Sequence, residues 1–483
     1  MKFDYNKLAP QRVWYYFQEL SNIPRGSGNM KAISDYCMEF AKKNGLKARQ
    51  DALGNVVIWK NGSAGREQEN AVILQGHLDM VAEKTKDSAH DFEKDSLDLQ
   101  IEGDLVYAKD TTLGGDDGIA IAYSMAILED DTLSHPPIEA IFTVDEEIGL
   151  LGAAALDMSD LKGKYVLNMD SEEEGILLTG CAGGVSSMCE LPVSREVKEG
   201  LVVNVDISGL LGGHSGVEIQ KEHCNAAKLF GRLLATYLEK TEVYLIDAEI
   251  GQKDNAIPRI GFAKILIHEN DYSLIESITA EIETQAKKEY YVADPGVKIT
   301  VTKAAAERTH VVCEEDTKRI SLFLVVAPNG IYHWHPTIPG LVETSLNLGT
   351  FRVDNDKMHA GFSVRSSVES RKQELAQRVR VLIEALGGSY AGLGDYPGWE
   401  YKEDSKLRPL MVDLYKKLYG EEPVVQTIHA GLECGYLMSK KPELDIVSFG
   451  PNICDIHTTE ERISVSSVER TYKYVVEILN SLH

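Results

Sequence analysis

The chain has 483 residues, 43% of them apolar, which exceeds the roughly 250–300 residues at which a single core stops growing, so two or more domains are expected. Asp and Glu number 75 against 50 Lys and Arg, a formal charge of −25, which sets the average surface against phosphate backbones and anionic lipid and argues against nucleic-acid and membrane partners. The opening MKFDYNKLAPQRVW has no apolar core of signal-peptide length, no stretch approaches the ~18 apolar residues that span a bilayer, and the seven Cys form no CxxC pair, so a cytoplasmic location is expected and any metal must be held by His and carboxylates.

From Pro10 the pattern predicts a helix to about Leu20, a Pro-Arg-Gly-Ser-Gly loop, a helix from Asn29 to Gly45, and short strands over 55–59 and 71–75. A helix over 118–129 and strands over 138–143 and 165–168 continue this α/β rhythm, each strand followed by polar or acidic residues. Ligands in open α/β sheets sit at those strand ends. From about Val185 the strands lengthen, as at 201–207, and amphipathic helices follow at 225–238, 274–288 and 369–386. After the Gly-rich stretch 387–398 the first rhythm returns, with a helix near 407–419, a strand over 445–449 and a terminal helix from about Ser466. The expected architecture is therefore an α/β domain with a mixed sheet and helices on both faces, residues 1–184 and 399–483, interrupted by an inserted α+β domain, residues 185–398.

Chemistry gathers at the strand ends. The apolar run Val72-Ile-Leu-Gln-Gly leads straight into His77-Leu-Asp79. A neutral His is a zinc ligand, and a carboxylate accepting its other N–H fixes the ring, a role that suits Asp79; a hydrogen-bonded His at a strand end has the same appearance. Gly114-Gly-Asp116-Asp117-Gly118 puts adjacent carboxylates before a helix, whose positive end favours anions, although an acidic N-cap looks alike. The strand 138–143 is followed by Asp145-Glu146-Glu147, three acids whose mutual repulsion is costly without a cation. Adjacent side chains of an extended segment point in opposite directions, so Glu146 and Glu147 have different jobs, one with metal and one with protons. Asp170 follows the strand 165–168, and Gly450-Pro-Asn-Ile-Cys-Asp-Ile-His457 supplies a second His. His, Asp, Glu, Asp and His after successive strands, without thiolate, suit zinc, cobalt or manganese.

Five further motifs accompany these residues: Gly76-His-Leu-Asp-Met80, Asp170-Ser-Glu-Glu-Glu-Gly175, Gly212-Gly-His-Ser-Gly216, Asn255-Ala-Ile-Pro258 and His429-Ala-Gly-Leu-Glu-Cys-Gly435. Together they make nearly the whole chain resemble the di-zinc exopeptidase family that includes carnosinase, peptidase T and carboxypeptidase G, and within it the aminoacyl-histidine dipeptidase branch. The resemblance implies that His77 and Asp170 hold one metal, that Glu147 and His457 hold the other, and that Asp116 bridges them. Glu146 is then the general base and Asp79 orients His77. The inserted domain is implied to be a lid that carries a homodimer interface, with His214, Asn255 and Arg365 contacting the substrate or its oxyanion and Gly431 lining the pocket. Each of the lid residues has a plainer alternative: a Gly-rich turn for His214, a proline-flanked segment for Asn255 and a local pair with Glu369 for Arg365. Two departures stand out. Gly118 occupies a position where many relatives have Lys, and its neighbour is Asp117, so the bridging role of Asp116 or Asp117 is left open. Ala430-Gly-Leu-Glu-Cys434 replaces the Gly-Gly-Thr-Asp-like pocket motif of many relatives, as in the aminoacyl-histidine branch.

The activity expected from these readings is metal-dependent hydrolysis of unblocked dipeptides, Xaa-His and β-alanyl-histidine-like substrates among them, by a metal-bridged hydroxide with Glu146 moving the proton. Two divalent ions are the expected cofactors, Zn first, with Co or Mn as the alternatives. N-acyl amino acid amidohydrolysis on the same site is the alternative among enzymes. A catalytically silent metal- or peptide-binding module is the alternative outside them, disfavoured because the base and all five ligands are present.

Overall fold

A computed structural model describes residues 2–483, which divide into two units. Unit 1 comprises the residues up to Cys181, Trp399–Thr427 and Leu432–His483, and unit 2 comprises Ala182–Gly398 and Ile428–Gly431. The chain leaves unit 1 three residues before Val185, and Ala182 N–H donates to the carbonyls of Ile428 and Ala430, which tie the short segment 428–431 to unit 2.

Unit 1 is built on an eight-stranded mixed sheet in the order Lys47–Gln50, Val56–Lys60, Ile138–Thr143, Val72–His77, Tyr165–Asn168, Asp445–Ser448, Ile176–Cys181, Val424–Ile428. The four strands from Ile138–Thr143 to Asp445–Ser448 run parallel. Val72–His77 and Ile138–Thr143 are buried at every position, as expected of strands covered on both faces. The helix Gly115–Glu129 is apolar all round after its first turn and buried along almost its whole length, the pattern of a helix inside a core rather than on a surface. With Gln11–Ser21, Lys31–Lys43, Leu407–Tyr419 and Val465–Ser481 it encloses a core that includes Trp14, Phe17, Tyr123, Phe142, Met411 and Val475. A small antiparallel sheet of Ile453–Cys454, Arg462–Ser464, Leu105–Ala108 and Leu99–Glu102 pins both ends of the loop that carries His457. Strands this short have no periodicity to read in the sequence.

Unit 2 is a nine-stranded antiparallel sheet. Its order is Lys298–Val312, Arg195–Ser208, Gly261–Ile267, Val243–Ile250, Val342–Val353, Lys357–Ser366, Gly183–Pro192, Ser389–Tyr396, with Gly330–Trp334 pairing to Val342–Val353. Helices Ala226–Lys240, Tyr272–Glu289, Glu314–Val326 and Glu369–Ala385 share its core, with Phe230, Tyr237, Phe323, Phe351 and Phe362 at the centre. The Gly-rich stretch is an edge strand, Ser389–Tyr396, paired only to Gly183–Pro192 and mostly exposed; its polar, glycine-rich sequence reflects a strand with little to bury. The α/β class with a mixed sheet, interrupted by an α+β insertion, is the one read from the sequence. No helix among the described residues is long and apolar enough to cross a membrane.

Candidate metal centre

In unit 1 the parallel strands end in the predicted ligands. His77 is the last residue of Val72–His77, Asp145-Glu146-Glu147 follows Ile138–Thr143, and Asp170 lies two residues beyond Tyr165–Asn168. The Asp116 carboxylate faces both imidazoles: Oδ1 is 3.1 Å from His77 Nε2, and Oδ2 is 3.2 Å from His457 Nε2. His77 Nε2 is also 3.6 Å from Asp170 Oδ1, and His457 Nε2 is 3.0 Å from Glu147 Oε2. Two sets of donor atoms, His77–Asp116–Asp170 and Asp116–Glu147–His457, each fit within 4.8 Å and share Asp116, while a third set joins His77, Glu146 and Glu147.

Asp117 faces elsewhere, its Oδ2 accepting the His77 backbone N–H at 3.1 Å. Residues Asp116 and Asp117 depart from helical φ/ψ, and their peptide is cis. The strand and the Asp117 turn approach so closely that a Cβ on Gly76 would lie 2.5 Å from Asp117 Oδ2 and 2.7 Å from Ala120 Cβ, so glycine is required beside His77.

Asp79 is wholly buried, and its carboxylate accepts the N–H groups of Glu146 (3.0 Å) and Glu147 (3.2 Å) and the Ser27 hydroxyl (2.8 Å). His77 Nδ1 is nearer to the Asp79 backbone carbonyl, 3.1 Å, than to the carboxylate, 3.4 Å. An Nδ1–H donated to that carbonyl would leave the Nε2 lone pair for a cation held with Asp116 and Asp170, in place of the Nε2–H that the metal-free ring donates to Asp116. Asp79 therefore organises the Glu146–Glu147 turn as much as the imidazole. Beneath the ligands a buried polar row crosses three strands: Asn168 Nδ2 donates to Gln75 Oε1 (2.5 Å), while Gln75 Nε2 and Thr143 Oγ1 each donate to Glu433 Oε2 (2.6 Å).

The electrostatics are those of crowded anions. Burial, and then Asp116 and Glu433, push Asp170 up to about 8 against the pull of His77. Burial, Asp170, Glu433 and Glu147 push Glu146 well above the ordinary carboxylate range, again against His77. Hydrogen bonds to Asp116 and Glu147 raise His457 to about 10. For Asp116 burial acts upward, but the hydrogen bonds from His457 and His77 win and hold it low. Glu147 Oε1 is buried with no hydrogen-bond partner. A divalent cation relieves both the crowding and the unmet oxygen, and an all-N/O donor set suits zinc, cobalt or manganese. The residues present therefore fit the metals that the sequence implied.

The other four predicted site residues belong to unit 2. His214 Nδ1 accepts the N–H groups of Gly216 and Val217, each at 3.2 Å, which places the ring proton on Nε2 as a donor; burial and then Arg365 lower its pKa. Arg365 is buried and donates from Nη1 to the Tyr396 hydroxyl (3.1 Å), while its Nε has no partner. No pair with Glu369 forms: that carboxylate lies 2.9 Å from Lys372. Asn255 is exposed on a turn fastened by Asn347, whose Nδ2 donates to the carbonyls of Asp254 (3.0 Å) and Ala256 (2.8 Å). Gly431 packs against the Tyr396 ring. His429 joins this group unforeseen: it is buried, 2.7 Å from Ser345 Oγ, and lowered to about 3 by burial, Arg365 and His214. Its motif was visible in the sequence, but nothing local signals that the ring is enclosed.

Two His and three carboxylates thus converge beside the ends of the parallel strands in groups that could hold metal, and the chain belongs to Peptidase family M20/M25/M40, whose sequence model matches residues 73–481. This bears out the family read from the motifs. The chain is 34% identical over 479 residues, 99% of each chain, to the cytosol non-specific dipeptidase of Escherichia coli (strain K12). The crystal structure of aminoacylhistidine dipeptidase from Vibrio alginolyticus matches with a TM-score of 0.94 and 32% identity, covering 100% of this chain and 98% of that one. A tripeptidase from Staphylococcus aureus, 16% identical with a TM-score of 0.58 over 98% of this chain and 99% of that one, shares the fold.

Proposed function

We propose that this protein is a dipeptidase that hydrolyses unblocked dipeptides, Xaa-His and β-alanyl-histidine-like ones among them, at a centre for two divalent cations, zinc foremost. One observation carries the reading: a single carboxylate, Asp116, has its two oxygens toward two separate His-and-carboxylate sets. The relatives named dipeptidases, matched over essentially the whole chain, support the substrate class. In this reading His77 and Asp170 would hold one cation and Glu147 and His457 the other, with Asp116 shared between them.

Cations bound there would supply Lewis acidity toward the scissile carbonyl and the attacking water. Glu146 takes the proton of that water and delivers it to the leaving amine. Its backbone is held by Asp79, so the base keeps its place while it changes protonation state. His214, with its proton on Nε2, donates to the developing oxyanion, a role a neutral imidazole fills without adding charge. Arg365, a buried guanidinium with an unmet N–H, is assigned the substrate's carboxylate, and Asn255 and Gly431 are assigned to substrate binding with it. Unit 2 thus supplies the substrate-binding groups; we assign it the lid role and the homodimer contact as well, and place the enzyme in the cytosol.

The test is a substrate panel on metal-reconstituted protein. Free dipeptides are expected to be cleaved and N-acylated ones spared; preference for N-acyl amino acids would move the chain to the amidohydrolases.

A further inference from the structure

Two buried charges in unit 1 have no part in the chemistry above. Arg25 and Glu461 are each 2% exposed, and a charge so buried is costly unless hydrogen bonds satisfy it. Glu461 is satisfied by backbone: Oε2 accepts the N–H groups of Leu113 (2.7 Å) and Gly114 (3.0 Å), and Oε1 those of Gly115 (2.8 Å) and, more weakly, Asp116 (3.4 Å). Arg25 works on the opposite polarity, donating to the carbonyls of Gly114, Leu78 (3.0 Å) and Asp79 (3.1 Å). A Cβ on Gly114 or Gly118 would collide with its guanidinium.

The turn carrying Asp116 is thus gripped through its main chain, an anion on its amides and a cation on a carbonyl. Its carboxylate is left free to face His77 and His457. The same pair reaches the neighbouring ligand segments. Leu78 and Asp79 directly follow His77, and Glu461 lies four residues after His457 on a turn whose Glu461 N–H donates to the Thr458 carbonyl at 3.2 Å. Glu461 is in none of the donor-atom sets, and both its oxygens are taken by amides, so it acts on the centre only through backbone.

We propose that Glu461, opposed by Arg25, is the positioning residue that holds Asp116 in its bridging place before any cation arrives, so that both cations bind a preformed centre. The assignment rests on the two-cation reading of the site. Hydrogen exchange on the metal-free wild type tests the clamp without a variant: the amides of 113–116 are expected to be as protected as those of the buried helix after them, and exchange at loop rates overturns the proposal. Titration with Co²⁺ tests its consequence. Glu461→Gln sets an amide N–H₂ against the backbone donors and should weaken Co²⁺ roughly 10- to 100-fold, the range typical of lost support behind a ligand. Exchange at 113–116 should quicken, and kcat should fall with KM nearly unchanged. Glu461→Asp, which keeps the charge, should recover part of the affinity and of the protection. A Glu461→Gln protein that binds Co²⁺ as the wild type does overturns the assignment alone; a wild type that binds no Co²⁺ overturns the two-cation reading with it.

Discussion

The functional groups of the two units are electrostatic opposites. In unit 1 carboxylates crowd until Asp170 is pushed up to about 8 and an oxygen of Glu147 is left unmet. In unit 2 burial, reinforced by a guanidinium, keeps the imidazoles neutral: burial and then Arg365 lower His214, and burial, Arg365 and His214 lower His429 to about 3. One region is short of positive charge, and in the other the Arg365 guanidinium keeps an Nε without a partner. Each lacks what the proposed reaction brings it, cations for the first and a substrate carboxylate for the second. Local structure differs too: in unit 1 Glu147 and Asp170 follow buried parallel strands and Asp116 opens a buried helix, whereas in unit 2 Arg365 lies near the end of a strand paired on both sides and His214 on a two-residue strand.

The largest test of this contrast removes the base. Glu146→Gln should retain its metal and lose roughly 10²- to 10⁴-fold in kcat, the usual contribution of a positioned acid–base group; turnover near the wild-type rate with metal present would remove Glu146 from the mechanism. Next comes the guanidinium. Arg365→Met should cost about 1.5–3 kcal/mol in kcat/KM for free dipeptides, the value of a hydrogen bond to a charged group, and much less for dipeptide amides. An equal loss on both would show that Arg365 does not hold a carboxylate.

A third test uses pH on the metal-free protein. Asp170 and His457 both have folded pKa values above their ordinary ones, about 8 and about 10. The folded state therefore binds more protons than the unfolded one, and stability falls as pH rises. For His457 the loss begins near its unfolded value of about 6.5, and for Asp170 it runs from about 3.8 to 8. Calorimetry in chelator should find a lower Tm at pH 8.5 than at pH 6, and added Zn²⁺ should remove most of the difference. A Tm that rises over that interval without metal would contradict the crowded-anion picture. The smallest expected effect is in unit 2: Ser345→Ala removes the partner of His429 and should cost about 1 kcal/mol of stability, with metal content unchanged.

Much of unit 1 was legible because its signals are local. The strands over 138–143 and 165–168 and the helix over 407–419 have the expected bounds, since apolar runs there begin and end sharply, and the predicted ligands Glu147 and Asp170 sit just beyond the two strands. The helix expected from Gly118 starts at Gly115 because the Asp116–Asp117 turn already carries helix-like bonds despite its irregular backbone. Other features depend on distant partners. Glycine is needed at position 118 because the Arg25 guanidinium, 93 positions away in sequence, fills the space a Cβ would take. Glu461 reads as one more acid in a polar loop until four amides are seen to converge on it. In unit 2 the edge strand Ser389–Tyr396 buries too little to leave a pattern, and the enclosure of His429 is a property of the fold around it.

The central claim is a dipeptidase centre for two cations joined by Asp116. It is tested most directly by adding Zn²⁺ or Co²⁺ in measured amounts to the metal-free protein while following hydrolysis of a free dipeptide. Activity should be absent in chelator and should level off at two equivalents per chain. Activity that survives in chelator, or that is complete at one equivalent, would contradict the account.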